Sequence, residues 1–197
     1  MPILSGKEQL EQALGALGEL LAHRGHHFEI VVIGGANLIL RNLTSRPTTR
    51  DVDVLGALEN GHVQSIRPMP TPLREAVSEV GRLFDLADDW LNLGPDSLLD
   101  LGLPAGLDER LERRDYGGLV VWLTGRYDMI CFKLYAATDR DRQSRHFQDL
   151  QDMHPTEDEL VAAARWTMTH DPSPSFRTAL GQVLTALGVT DAAARLG

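Results

Sequence analysis

The sequence contains a single cysteine, Cys131, which excludes an internal disulfide and a metal site built from several thiolates. Its neighbours in "YDMICFKLYA" are mostly apolar. This setting is typical of a buried structural thiol, because a nucleophilic cysteine needs an electropositive and partly exposed environment. Since disulfides mark oxidising compartments, a chain without them is expected in the cytoplasm.

Long apolar runs are also missing. No stretch approaches the roughly 18 residues that a transmembrane helix needs, so we expect no membrane partner. Residues 1–21 carry acids and have no basic leader before an apolar stretch, which argues against a signal peptide. With 43% hydrophobic and 24% charged residues, the composition is that of a folded globular protein.

Positive charge is scarce, since lysine occurs only at positions 7 and 133 and the formal net charge is −9. This balance argues against indiscriminate binding of nucleic acid. Arginine is more common and occurs in three clusters, each of which is either a local basic surface or a solvated face paired with nearby acids. The clusters are Arg41, Arg46 and Arg50; Arg110, Arg113 and Arg114; and Arg140, Arg142 and Arg145.

The hydrophobic spacing predicts a mixture of helices and strands. Helices are expected over residues 6–24, 72–91, 127–138, 144–153, 156–170 and 174–187, with a short one directly after Gly35. The first is expected to be amphipathic, with an apolar stripe of leucines at positions 10, 14, 17, 20 and 21. Thr156 and Glu159 predict a capping box at the start of the helix over 156–170. Strands are expected over 29–34, 51–56 and 119–123, with one more around "VQSIRP". An early β-α-β unit followed by helices indicates an α/β (α+β) fold. We expect an α/β core over residues 1–125 and a helical part over 126–197 that packs on this core, with one single domain as the alternative.

Two features of the segment 31–56 carry chemistry. Gly34 and Gly35 end a buried strand and open a helix, which allows the backbone to approach a ligand and offers amides to phosphate oxygens. Asp51 and Asp53 alternate with valines, so both carboxylates project from one face of a strand. A divalent cation such as Mg²⁺ (or Mn²⁺) between them would relieve their repulsion.

The alternative is a tight strand-to-helix turn with a polar strand behind it. Neither a Walker loop nor the spacing of the dinucleotide fingerprint is present.

The glycine pair followed by Asp-x-Asp resembles the signature of the DNA polymerase β-like nucleotidyltransferase superfamily. More narrowly, "IGGANLIL" and "RPTTRDVDVLG" resemble the minimal nucleotidyltransferases related to the AbiEii toxins, including the DUF6036 group. Downstream, "CFKLYAATDRDRQSRHFQDLQDM" supplies the expected order of Lys133, Arg140 or Arg142, Asp149 and Asp152. The resemblance covers residues 28–56 and 119–153, and it implies a small mixed sheet flanked by helices.

The resemblance also implies roles for individual residues. Gly34 and Gly35 would cradle the triphosphate of an NTP, and Thr49 would contact phosphate. Arg46 is counted with these nucleotide-binding residues. Asp51 and Asp53 would bind Mg²⁺ or Mn²⁺.

The resemblance further assigns Lys133 to the phosphates or the developing charge, and Asp149 would complete the catalytic set. If so, this pair and the glycine turn are expected to converge on one cleft. The alternatives are an exposed lysine and a solvated helix face on which Asp149 pairs with Arg145.

One departure from the superfamily concerns a third carboxylate, which many members carry on a later strand. The strand "GLVVWL" offers none, and the flanking Asp115 and Asp128 are not in obvious positions. In the toxin-like branch, Lys133 and Asp149 would take over this function.

These observations predict a metal-dependent nucleotidyltransferase that moves a nucleoside monophosphate from an NTP to a hydroxyl group. The acceptor would be a tRNA 3′ end or a protein side chain, and the AbiEii resemblance implies the toxin of a toxin–antitoxin pair with an antitoxin partner. A second hypothesis is an inactive nucleotide- or partner-binding module with the same fold. A third is a structural α/β protein whose acids are coincidental.

Overall fold

The computed structural model describes residues 4–46, 48–139 and 144–196. The predictions for Arg140 and Arg142 lie outside these residues. The chain divides into two compact units, Met1–Gly125 and Arg126–Gly197, which are called the first and second unit below.

The first unit contains all the strands of the described residues together with several helices. The strands are β1 (Leu4–Ser5), β2 (Phe28–Ile33), β3 (Thr48–Thr49), β4 (Val52–Glu59), β5 (His62–Gln64), β6 (Leu91–Asn92), β7 (Glu112–Asp115) and β8 (Leu119–Leu123). The helices are α1 (Gly6–His23), α2 (Gly34–Leu40), α3 (Thr71–Leu83) and α4 (Leu98–Leu101).

The main sheet is mixed and runs in the order β5-β4-β2-β8-β7, with β6 also paired to β4, while β1 and β3 form a separate small pair. Strand β2 lies antiparallel to β4 and parallel to β8, so it is central. As expected for a central strand, its residues from Ile30 to Ile33 are all buried. The mixed α/β fold predicted from the sequence is therefore confirmed.

The core of the first unit lies between this sheet and its helices. Helix α1 contributes Leu10, Leu14, Leu17 and Leu21, which recur at helical spacing and are fully buried. From the sheet, alternate residues such as Val52 and Val54 reach the same cluster. The apolar stripe predicted for α1 is thus what holds this helix on the sheet.

Two predicted boundaries are wrong. The helix predicted over 72–91 ends at Leu83, because the chain reverses at Asp85 (φ 52°) and the Leu86 amide donates to the carbonyl of Gly81. After this reversal, Trp90 packs on Gly81 and its Nε1 donates to the carbonyl of Val77. The chain then enters the sheet as β6.

The strand predicted over 51–56 continues to Glu59, since Gly56 does not terminate it. A side chain at position 56 would overlap the carbonyl oxygen of Gln64 on the neighbouring strand. Gly56 is therefore required for close packing of β5 against β4 and does not mark a turn.

The second unit is helical in its described residues. Its helices are α5 (Arg126–Asp139), α6 (Arg145–Met153), α7 (Glu157–His170), α8 (Pro174–Ala186) and α9 (Ala192–Arg195). Helix α7 begins with the predicted capping box: Glu159 N donates to Thr156 Oγ1 at 3.2 Å, and Thr156 N donates to Glu159 Oε2 at 2.8 Å. None of the helices in the described residues has the length and apolar character that crossing a bilayer requires.

Arg126 connects three helices of the second unit. From the start of α5 it donates to the carbonyls of Met153 (2.8 Å) and His154 (3.0 Å) at the end of α6. It also forms an ion pair with Glu159 in the first turn of α7. These bonds satisfy carbonyls that a helix end otherwise leaves unpaired.

The ion pair predicts a pH-dependent contribution of Glu159 to stability. The hydrogen bond from the Arg126 guanidinium lowers the pKa of the Glu159 carboxyl, and partial burial opposes this only in part. Because the folded-state pKa lies below the unfolded one, the contribution is present above the unfolded pKa and is lost as the pH falls through the folded pKa. We expect Glu159→Gln to lower the free energy of unfolding by about 1 kcal/mol at pH 7.

Urea unfolding at a series of pH values between 7 and 3 would measure this difference, which should shrink toward zero in acid. The matched control is Asp158→Asn, which removes a charge from the same helical turn at a fully exposed side chain. If the free energy of unfolding of the wild type exceeds that of Glu159→Gln by the same amount down to pH 3, the stabilising role of the ionised Glu159 carboxylate is contradicted.

Candidate functional site

The predicted glycine pair lies at the junction of β2 and α2, opposite the acidic strand. The antiparallel register pairs Ile33 with Asp53, so the next residue, Gly34, is directly beside the Asp53 side chain. Gly34 has φ +75°, and a Cβ at this position would overlap the Oδ2 atom of Asp53. Both conditions require glycine, because an L side chain would be strained and would displace the carboxylate.

Gly35 is close to a second predicted site residue, Thr49. A Cβ on Gly35 would lie 2.8 Å from Thr49 Oγ1. Thr49 is buried, and its hydroxyl donates to the carbonyl oxygen of Asp51 at 3.0 Å. The structure therefore brings Gly34, Gly35, Thr49 and Asp53 together in the first unit.

The two aspartates occupy the start of β4. Asp51 immediately precedes the strand and Asp53 lies within it, and both are half-buried, whereas Val52 and Val54 are fully buried. Alternation along the strand thus places both carboxylates on the face opposite the valines. Arg46 is half-buried, and its amide donates to Thr44 Oγ1 at 3.2 Å.

Sequence reasoning missed Asn37, which holds the glycine turn in place. Asn37 is fully buried in α2, and its Nδ2 donates to the carbonyls of Val32 (2.8 Å) and Thr124 (3.2 Å) and to the Thr124 hydroxyl. It thereby connects the ends of β2 and β8 to the first turn of α2. Its signal in the sequence is a polar residue inside the otherwise apolar "ANLIL".

The sequence also gave no indication of Asn92, which stands next to Asp53. In β6, Asn92 pairs in register with Asp53, on the edge of β4 away from β2. The two residues of β6 are too few to produce a strand-like periodicity, so this neighbour was not predictable from spacing.

Asp115 is remote from the glycine turn within the first unit. It pairs with Val120 near the start of β8, whereas the end of β8 beside Val32 and the glycine turn is Leu123. Asp115 therefore does not supply a third carboxylate beside Asp53.

In the second unit, Lys133 and Asp149 form a buried ion pair between α5 and α6. Lys133 Nζ lies 2.7 Å from Asp149 Oδ2, and the side chains are only 6% and 2% exposed. Both alternatives considered for these residues are thus wrong: Lys133 is not a surface lysine, and Asp149 is not on a solvated face. A buried pair is a costly feature to maintain, because two charges must be removed from water.

The donor set fits a magnesium ion that is bound together with a substrate. Within residues 4–46, 48–139 and 144–196, no group of three or more histidine, cysteine, aspartate or glutamate side chains is arranged to hold a metal. Mg²⁺, however, is commonly held by one or two carboxylates and by phosphates of the substrate. Asp51 and Asp53, which lie on one face at the start of β4, supply the two carboxylates of such a site.

A mixed sheet with a glycine turn packed against an acidic strand places the molecule in the class of nucleotidyltransferase-like α/β proteins. A family model described as a nucleotidyltransferase of unknown function (DUF6036) matches residues 8–156, well over half of the chain. The chain therefore belongs to the DUF6036 family, as its sequence predicted. Comparison with curated proteins gave no significant match, and comparison with solved structures gave none either.

The geometry of the turn predicts that Gly34 cannot be replaced without cost. Gly34→Ala combines a positive φ with the overlap on Asp53, so we expect the free energy of unfolding to fall by about 1–3 kcal/mol. Urea unfolding would measure the change.

Gly15→Ala is the matched control, because Gly15 lies in α1 and a Cβ there meets no atom within 4 Å. This variant should equal the wild type or gain up to about 1 kcal/mol of stability from helix propensity. Equal stability of the Gly34→Ala and Gly15→Ala variants would contradict the close approach of the turn to Asp53.

The buried ion pair predicts strong coupling between Lys133 and Asp149. Lys133→Met leaves a buried carboxylate without its cation and should cost about 3–5 kcal/mol. The double variant Lys133→Met/Asp149→Asn should lose much less than the sum of the single changes, as a double-mutant cycle from urea unfolding would reveal.

Arg165→Met is the control, because it removes an exposed cation from α7, a helix of the same unit. It should change stability by less than about 0.5 kcal/mol. Additive effects of the Lys133 and Asp149 changes would show that the pair is not coupled.

Proposed function

We propose that the protein is a metal-dependent nucleotidyltransferase that transfers a nucleoside monophosphate from an NTP to a hydroxyl group. In this reaction the acceptor oxygen forms a bond to the α-phosphorus and loses its proton. The bond from the α-phosphorus to the bridging oxygen breaks, and pyrophosphate leaves. Such chemistry depends on positioning and on charge neutralisation rather than on a covalent intermediate.

The observation that carries this proposal is the packing of Gly34 against Asp53 and of Gly35 against Thr49. Because the two glycines bring the backbone against Asp53 and Thr49, a triphosphate bound at the amides of Gly34 and Gly35 would lie beside the carboxylates. Ile33, which precedes the turn, has an apolar side chain that cannot accept hydrogen bonds from these amides. Membership of a family described as nucleotidyltransferases supports the same class of reaction.

Asp51 and Asp53 would hold Mg²⁺ or Mn²⁺, which when bound neutralises charge on the phosphates. Asp53 is the better fixed of the two, since its Oδ2 abuts Gly34. Thr49 and Arg46 are proposed to contact the nucleotide, as the resemblance to AbiEii-type enzymes implies.

Lys133 and Asp149 are proposed as the further catalytic residues. A lysine ammonium is a compact charge suited to phosphate, and Asp149 holds it in a fixed position through the 2.7 Å ion pair. The pair therefore supplies an oriented cation rather than a mobile surface lysine.

For the acceptor we propose a tRNA 3′ end or a protein side chain, and the resemblance to AbiEii toxins supports a toxin that is neutralised by an antitoxin protein. A fold alone does not determine an acceptor, so labelling must identify it.

The proposal predicts that the chain labels RNA or protein from α-phosphate-labelled NTPs in the presence of Mg²⁺. Total RNA and total protein would each be incubated with every labelled NTP, and released pyrophosphate would be measured in parallel. Asp53→Asn should lower both signals by at least about a hundredfold, because the metal no longer has its fixed carboxylate. Asp51→Asn should act in the same direction.

Asp88→Asn is the control, since it removes an exposed carboxylate in the same unit and should leave labelling unchanged. Tight NTP binding without labelling of any acceptor would instead favour a nucleotide-binding module that does not catalyse. If no NTP binds at millimolar Mg²⁺ or Mn²⁺, the proposed function is wrong.

A further inference from the structure

Asn92 is the nearest strand neighbour of Asp53 on one side. β6 runs parallel to β4, and its register pairs Leu91 with Val52 and Asn92 with Asp53. Residues paired in register on adjacent strands project from the same face of a sheet. The Asn92 side chain therefore lies on the face that carries the Asp53 carboxylate.

The orientation of the Asn92 amide follows from its hydrogen bonds. The Gly94 amide donates to Asn92 Oδ1 at 2.7 Å. Asn92 Nδ2 points at Asp53 Oδ1 over a long contact of 3.5 Å, and it lies at the same distance from the carbonyl of Asp89. In the flipped orientation, the Asn92 NH₂ group would face the N–H of Gly94, and the Asn92 oxygen would face the Asp53 carboxylate. Only the observed orientation therefore allows hydrogen bonds to all of these neighbours.

The segment that carries Asn92 is anchored on both sides. Before it, the Val52 amide donates to the carbonyl of Trp90 at 2.6 Å. After it, the Leu93 carbonyl accepts from Arg67, and Ser65 donates to Asp96 at 2.7 Å. Asn92 is therefore held by a rigid frame within the first unit, as a residue that positions another must be.

We propose that Asn92 is a positioning residue for Asp53, an inference that rests on the proposed metal-dependent function. The Asp53 carboxylate is confined on two sides, because Gly34 abuts Oδ2 and the Asn92 amide faces Oδ1. Asn92 orients this carboxylate through the contact of its Nδ2 with Asp53 Oδ1.

Two substitutions separate this role from a purely local one. Asn92→Asp keeps an oxygen for the Gly94 amide but replaces the donor that faces Asp53 with a second oxygen. Asn92→Ala removes both functions. If Asn92 serves only the turn at Gly94, the aspartate variant should behave as the wild type.

The experiment is a titration with Mn²⁺ alone, in which electron paramagnetic resonance measures the free ion and thermal unfolding is followed with and without the metal. We expect Asn92→Ala to bind Mn²⁺ about tenfold more weakly, as is usual when a partner that orients a ligand is lost. For Asn92→Asp we expect a lower Tm without metal, because two carboxylates face each other. Its Mn²⁺-dependent rise in Tm should exceed that of the wild type, because a third carboxylate strengthens the site.

Asn60→Asp is the matched control, because it adds the same charge at an exposed turn position with φ 51°, at the other end of β4. It lies seven positions along the chain from Asp53, roughly 23 Å in an extended strand, so Mn²⁺ binding should not change. If Asn92→Ala does not fold, Asn92→Asp decides the question alone.

A wild-type chain that binds Mn²⁺, together with an Asp53→Asn variant that does not, establishes the site on which the inference rests. If Asn92→Asp then shows no larger metal-dependent rise in Tm than the wild type, the positioning role is overturned and the proposed function stands. A wild-type chain that binds no Mn²⁺, either alone or with a non-hydrolysable NTP, contradicts the metal site of the proposed function, and the positioning role is overturned with it.

Discussion

The close approach of the Gly34 backbone to the Asp53 carboxylate is the constraint on which the candidate site depends. No side chain fits between them, and Gly34 adopts a backbone conformation that L residues rarely tolerate. A strand-to-helix turn of this kind is costly unless the surrounding structure enforces it. The sheet that surrounds the turn supplies this constraint, since Ile33 and Asp53 are paired in register.

Several independent contacts enforce that approach. The antiparallel register of β2 and β4 places Ile33 opposite Asp53, and Asn37 connects the turn to the ends of β2 and β8. On the other edge of β4, β6 brings Asn92 beside Asp53. Separately, within the second unit, Asp149 fixes the Lys133 ammonium group in a buried ion pair. Asn37, Lys133 and Asp149 are buried polar side chains, which are costly to bury, and this sets them apart from the apolar packing that surrounds them.

The sequence alone predicted the elements with strong periodicity and the residues with distinctive chemistry. The leucine stripe of α1, the strand over 119–123, the capping box at Thr156 and the glycine–aspartate motif all carry local signals. Residues that matter because they pair across the sheet have no such local signal in the sequence. Asn92 lies in a strand of two residues, and the end of α3 depends on a reversal at Asp85 that Trp90 stabilises by packing on Gly81. Such features depend on tertiary contacts, which propensity and spacing do not encode.

The most direct test of the central claim is a crystal structure of the chain with Mn²⁺ and a non-hydrolysable NTP, in which anomalous scattering locates the metal. The account predicts a metal peak within coordination distance of both Asp51 and Asp53, with triphosphate oxygens against the backbone of Gly34 and Gly35. A metal and triphosphate bound elsewhere, with no density beside these four residues, would contradict it.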